Sequence, residues 1–244
     1  MRPSRRFLLG AALAGLIAAP LLAAPRALAG EPPYLTAHDL DLTMLLPPPP
    51  PIDSARQAQD LAAVLAAQRE ASPQRVAQAA ADTNETVFDM FGATLGARFV
   101  SATLPRVSEL FLRLGETEAS VVDPVKPVFD RPRPYLADPR AKPLVRASRS
   151  GSFPSGHATR VTLVAIVLAA MLPEQRAAIW ARADDYAQSR VIGGMHYPLD
   201  LDGGRRAGTA IAALLFAHPA FRADFDAART ELRAALALDE PKTQ

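Results

Sequence analysis

The chain has 244 residues, with 27 basic and 25 acidic side chains and no cysteine. Without cysteine there is no disulfide framework, no thiolate metal site and no cysteine nucleophile. A formal charge of +2 gives no basic excess of the kind that makes nucleic acid a main partner.

Residues 1–29 read as a secretory signal. Arg2, Arg5 and Arg6 form a charged start, Leu8 to Ala24 an apolar run, and Ala27-Leu28-Ala29 a cleavage site that starts the mature chain near Gly30. Ser4-Arg5-Arg6-Phe7-Leu8-Leu9 resembles a twin-arginine export signal, with Gly10 where that pattern usually has lysine. Pro20 and Pro25 interrupt the segment and argue against an uncleaved anchor. The segment carries four arginines and no acid, so its removal turns the net charge from +2 to −2. The expected location is the periplasm or the medium. The roughly 215 residues left suffice for one sizeable core, hence a single domain over 54–244 preceded by an arm over 30–53.

Pro32, Pro33 and the run Pro47 to Pro51 predict extended, non-helical backbone throughout the arm, with docking to a proline-reading partner as a secondary role. Helices follow. Ser54 caps one over Ala55 to Ala71, and Pro73 opens one to Ala81. Val87, Met90, Phe91, Leu95 and Phe99 share a face within a helix over 84–100. Leu104 to Leu114 repeats the pattern, and Gly115 is its expected stop. Arg131 to Ser152 reads as a surface loop. Val161 to Leu172 is almost wholly apolar but too short to cross a bilayer, so it is a central buried helix. Helices over Glu174 to Gln188, over Leu199 to Ala217 and around Phe221, Phe225, Ala228, Leu232 and Leu236 complete the chain. No stretch alternates with period two, so the fold class is all-α, a helical bundle.

Three motifs carry chemistry. Lys126 is followed after six residues by Arg133-Pro134; then comes Pro154-Ser155-Gly156-His157; then Ser189-Arg190, five residues, His196, three residues, Asp200. Lys126, Arg133 and Arg190 supply the charge that a phosphoryl group needs as its equatorial oxygens gain charge. Any one of them alone reads better as a surface ion pair, and Arg131 competes with Arg133 for the role. Ser155 and Gly156 precede the apolar helix, where backbone N–H groups and a hydroxyl can meet an anion. A helix cap is the plainer reading of that tripeptide. His196 and Asp200 stand four apart, so the carboxylate can hold one ring nitrogen and leave the other free to attack phosphorus. His157 is then the general acid and later the base. A zinc site would need a third ligand, and His38 and His218 are at no ligand spacing; no metal or other cofactor is expected.

With 19 residues between the first two motifs and 31 between the last two, the set resembles the signature of the type 2 phosphatidic-acid phosphatase (PAP2) superfamily, which includes vanadium haloperoxidases. Gly151 to His157 and the run Leu46 to Pro50 further resemble secreted bacterial class A nonspecific acid phosphatases. The likeness extends from about Leu46 to Phe216. It implies an all-helical fold, a phosphohistidine on His196, His157 as acid, Asp200 as orienter, and Lys126, Arg133, Ser155, Gly156 and Arg190 around phosphate. Phe153 departs from the tyrosine common in class A, and Ala158-Thr159 follows His157 where threonine often comes at once.

The expectation is therefore an exported, vanadate-inhibited acid phosphatase acting on small phosphomonoesters without a metal, with self-association allowed by the apolar helices. A vanadium haloperoxidase is the nearest alternative, but that branch has much longer chains. A lipid-phosphate phosphatase is another; such relatives span the membrane repeatedly, and after the signal this chain has no 18-residue apolar segment and no expected membrane insertion. A phosphate-binding protein without turnover is the third, disfavoured by the presence of both His157 and His196.

Overall fold

The structure is a computed structural model that describes residues 31–239; the signal read in residues 1–29 lies outside them. The described residues form helices and no strands. In chain order these are α1 (Leu42–Leu45), α2 (Ala55–Glu70), α3 (Pro73–Ala81), α4 (Val87–Leu95), α5 (Pro105–Val122), α6 (Lys126–Phe129), α7 (Pro134–Ala137), α8 (Gly156–Met171), α9 (Arg176–Ile192), α10 (Pro198–Ala217) and α11 (Pro219–Leu236). The all-α expectation holds.

Helix α8 is almost wholly apolar from Val161 onward and is the central post, as such a pattern requires. Leu163, Ala165, Val167, Leu168 and Met171 are fully buried, and α5, α9, α10 and α11 pack around them. Truncating one of these larger side chains to alanine should cost about 2–5 kcal/mol. The closest neighbour is α10, and small residues explain why. A Cβ on Gly204 would stand 2.6 Å from the Ser155 carbonyl oxygen, and one on Gly208 2.6 Å from that of Thr159. Bare backbone at these two positions lets α10 lie against the first turns of α8, which brings the residues just before α10 beside those that open α8.

The arm departs from its expected geometry at one point. Asp41 accepts a hydrogen bond from the Thr43 N–H and caps a helical turn at α1, upstream of the proline run. The arm is also docked: the Tyr34 N–H donates to the Thr117 hydroxyl at 3.0 Å, the Tyr34 hydroxyl donates to Asp224 at 2.5 Å, and Arg113 lies 3.7 Å over the tyrosine ring. Leu42 and Leu46 are buried in the main core.

Three helix ends differ from expectation. Helix α4 stops at Gly96, whose φ of +88° ends it and leaves Phe99 to reach the core from the following turn. Helix α5 runs through Gly115 to Val122, so that glycine is no stop. Helix α9 continues past Gln188 to Ile192 and takes Ser189 and Arg190 into its last turns.

Candidate active site

The three motifs meet in one cleft of about 370 Å³, whose lining includes Lys126, Arg133, Gly156, His157, Arg190 and His196. Each arrives from a different element. Lys126 follows α5 through a tight turn, Arg133 caps α7, Ser155 caps α8 with its hydroxyl accepting from the Ala158 N–H at 3.3 Å, and His196 sits in the short link between α9 and α10. Ser155 is fully buried beneath the cleft surface. Its N–H donates to the Asp200 carbonyl at 3.0 Å, which ties the start of α8 to the start of α10.

His196 is buried and held from both sides. Its Nδ1 lies 2.8 Å from the Ser152 carbonyl oxygen and 3.4 Å from Asp200 Oδ2. The backbone carbonyl is the nearer acceptor, so the ring is fixed with Nδ1–H donating to it and Asp200 standing behind. That tautomer leaves a lone pair on Nε2, which on the cleft side accepts a hydrogen bond from Arg133 Nη1 at 3.1 Å. Burial, with Arg133 adding to it, pushes His196 down to about 4 despite the Asp200 carboxylate. The ring is neutral at mildly acidic pH, as a nucleophile must be.

Asp200 is fully buried and has partners beyond His196. It accepts from Arg131 Nη1 at 2.6 Å, from the Tyr197 N–H at 2.8 Å and from the Ser152 hydroxyl. Arg131, read from sequence as a rival for the phosphate, points away from the cleft: its other nitrogen bonds Gln57 at 2.6 Å and Asp60 at 2.7 Å, and its guanidinium lies 4.1 Å over the Tyr197 ring. Arg133 is the cleft residue of the pair. It donates to the carbonyls of Ser150 and Met195 at 2.9 and 3.0 Å, so its charge is held by neutral oxygens.

Arg190 is buried as well. One nitrogen donates to the Ala79 carbonyl at 2.6 Å, while Nε is buried with no partner among the described residues. An orphan donor on a cleft-lining arginine fits an anion's oxygen, since burying it unpaired is costly. Burial lowers the pKa of both Arg133 and Arg190 from the usual arginine value.

The front of the cleft holds groups that no motif announced. His157 Nε2 is 3.2 Å from Glu85 Oε1, and its ring stacks at 6.3 Å on Tyr186. Burial, then Arg190, His196, Arg160 and Lys126, hold His157 well below the usual histidine range. Lys126 Nζ contacts Asp123 at 2.7 Å. Arg160 donates twice to Glu118, at 3.0 and 3.2 Å. Among the described residues no cluster of three or more His, Asp or Glu side chains is placed to hold a metal ion.

Residues 110–223 match the PAP2 superfamily. Its curated relatives include a non-specific acid phosphatase of Salmonella typhi, 29% identical over 83% of this chain and 84% of that protein. An acid phosphatase of Zymomonas mobilis is 28% identical over 84% and 80%. Among solved structures, a transmembrane PAP2-type phosphatidylglycerolphosphate phosphatase from Bacillus subtilis matches with a TM-score of 0.48 and 23% identity, covering 72% of this chain and 89% of that one.

Proposed function

We propose that this chain is an acid phosphatase that hydrolyses small phosphomonoesters by double displacement on His196. One observation carries the reading: a neutral histidine with its Nε2 lone pair toward a cleft, a second histidine in the same cleft, and three cations between them. In the first step Nε2 attacks phosphorus, the ester P–O bond breaks, and the leaving alkoxide takes a proton from His157. In the second, His157 takes a proton from water, the water oxygen bonds to phosphorus, and the P–Nε2 bond breaks to release inorganic phosphate. Arg133, Arg190 and Lys126 stabilise the charge on the equatorial oxygens, with the Gly156 N–H at the start of α8 beside them.

Burial and the cations lining the cleft hold the His157 pKa well below the usual histidine range. A phosphoryl anion offsets those cations and draws the proton onto His157, so activity should favour acidic solutions. Export to the periplasm or medium is part of the reading, supported by the sequence of residues 1–29. No helix among the described residues is long and apolar enough to cross a membrane.

The test is hydrolysis of p-nitrophenyl phosphate in excess EDTA, with acid-quench trapping of the phosphoenzyme and vanadate as inhibitor. Metal-independent turnover with an acid-labile phosphohistidine is expected. A folded protein that shows neither, or one that still forms the phosphoenzyme as His196→Ala, overturns the assignment.

A further inference from the structure

One carboxyl group on the cleft wall has no part in the double displacement. Glu118, on α5, is only 4% exposed yet lines the cleft. Its Oε2 takes both bonds from Arg160. Its Oε1 has no hydrogen-bond partner among the described residues and is 3.2 Å from where a Cβ on Gly156 would stand; Lys126 Nζ is 3.4 Å from the same point. A carboxyl oxygen and the motif lysine thus flank the glycine at which a phosphoryl group meets α8.

The arrangement is built rather than incidental. Arg160 fits against α5 because residue 115 is glycine: a Cβ there would stand 2.5 Å from Arg160 Nη1, and the Gly115 carbonyl accepts from Nη2 at 3.1 Å. The guanidinium is clamped along α5 by Gly115 and Glu118, so Oε1 is aimed at Gly156.

We propose that Glu118 determines which charge state of an anion this cleft accepts: protonated, it donates Oε1–H to a phosphoryl oxygen, and ionised, it repels a dianion. This rests on the phosphatase reading above. Burial pushes the Glu118 carboxyl up to about 7 against the pull of Arg160 and Lys126, with Glu85 pushing the same way as burial. The charged or titratable groups that line the cleft with it are Arg160 and His157 from α8, Lys126 and Asp123 from around the turn after α5, Glu85 from the link before α4, Arg133 and Arg146 from either side of α7, Arg190 from α9 and His196 from the link after it. A phosphomonoester takes its second charge near pH ~6. Over the range where substrate becomes a dianion, Glu118 still carries its proton; above it, two like charges would share the site.

Sulfate isolates the protein's contribution, since it is tetrahedral and stays dianionic throughout. The measurement is its competitive inhibition constant against p-nitrophenyl phosphate from about pH 5 to about pH 8 for wild type, Glu118→Gln and Arg160→Met. In the wild type the constant should climb about tenfold per pH unit once Glu118 ionises. In Glu118→Gln that climb should vanish, leaving sulfate bound about tenfold more tightly than in wild type at the alkaline end. Arg160→Met, which strips the carboxyl of its cation, should move the climb to higher pH. Superimposable curves for wild type and Glu118→Gln, or a climb that Arg160→Met leaves in place, overturn the proposal. If the wild type turns over no substrate, the phosphatase reading fails on its own, and calorimetric titration with sulfate over the same pH range still decides the role of Glu118.

Discussion

The two walls of the cleft handle positive charge in opposite ways. On the back wall, Arg133 bonds to the carbonyls of Ser150 and Met195 and Arg190 to that of Ala79, all neutral acceptors, so their charges are fixed in place and uncompensated. On the front wall every positive or protonatable group faces a carboxylate: Lys126 with Asp123, Arg160 with Glu118, His157 with Glu85. The back wall is preorganised for an anion, while the net charge of the front wall depends on whether the Glu118 carboxyl is ionised. Preorganised charge needs no rearrangement as the transition state forms, which is where such groups contribute most.

The hardest break in that contrast is His196→Ala. It removes the one protein atom that bonds to phosphorus in the proposed mechanism, and loss of a nucleophile costs roughly 10⁴-fold or more in kcat. Rapid-quench labelling with a phosphorylated substrate checks it, and residual label would mean that another side chain attacks. Next comes Arg131→Met, which touches no substrate. It strips Asp200 and Asp60 of a buried cation, and breaking a pair of that kind costs about 3–5 kcal/mol of stability. Urea denaturation should register the loss. If stability holds, Asp200 is not anchored through α2.

Much of the back wall was legible in the sequence, because a histidine, a carboxylate four residues on and the two arginines Arg133 and Arg190 at set spacing have few other uses in combination. What supports that wall was not. Gln57 and Asp60 carry no motif, and only the fold buries them under Arg131. Arg131 itself was visible, two residues from Arg133, but its direction depends on where α2 packs. Gly115 read as a helix stop, since glycine after an apolar run usually is one; the structure makes it the recess for Arg160. The front wall was least legible. Glu118 and Arg160 lie 42 residues apart on helices whose polar positions look like solvated faces, and Glu85 falls in a link with no motif. Ends of helices misread for a related reason: Ser189 and Arg190 sit within α9 because burial against α3 extends it, which local propensity does not register.

The walls should also pull stability in opposite directions as pH changes. His196 is depressed to about 4, so the unfolded chain binds its proton more readily; its contribution is present above the ordinary histidine value and is lost as pH falls toward 4. Glu118 is raised to about 7, so the folded chain binds its proton more readily; its contribution is present below the ordinary glutamate value and is lost as pH rises through 7. Between those limits the two effects oppose each other. Glu118→Gln removes the falling part, so the gain in unfolding free energy from about pH 4.5 to about pH 8 should exceed the wild-type gain by about 3 kcal/mol. Parallel curves would show that Glu118 is not strained by burial.

The smallest effect should come from Glu85→Gln. Glu85 faces His157 across 3.2 Å from a partly exposed position at the cleft mouth, so water screens the pair and its charge is worth little by itself. Its consequence is kinetic. While the cleft is empty, the carboxylate holds the nitrogen that must donate to the leaving group, and substrate has to displace it. Glutamine keeps an oxygen of the same reach without the charge, so the held ring stays in place but its protonated form loses support. Turnover of p-nitrophenyl phosphate, whose leaving group needs little protonation, should change less than about threefold; an alkyl phosphate, whose alkoxide needs the proton, should slow several-fold more. An equal loss for both would separate Glu85 from proton transfer and leave it a surface contact, whereas a gain for both would show that displacing it limits binding.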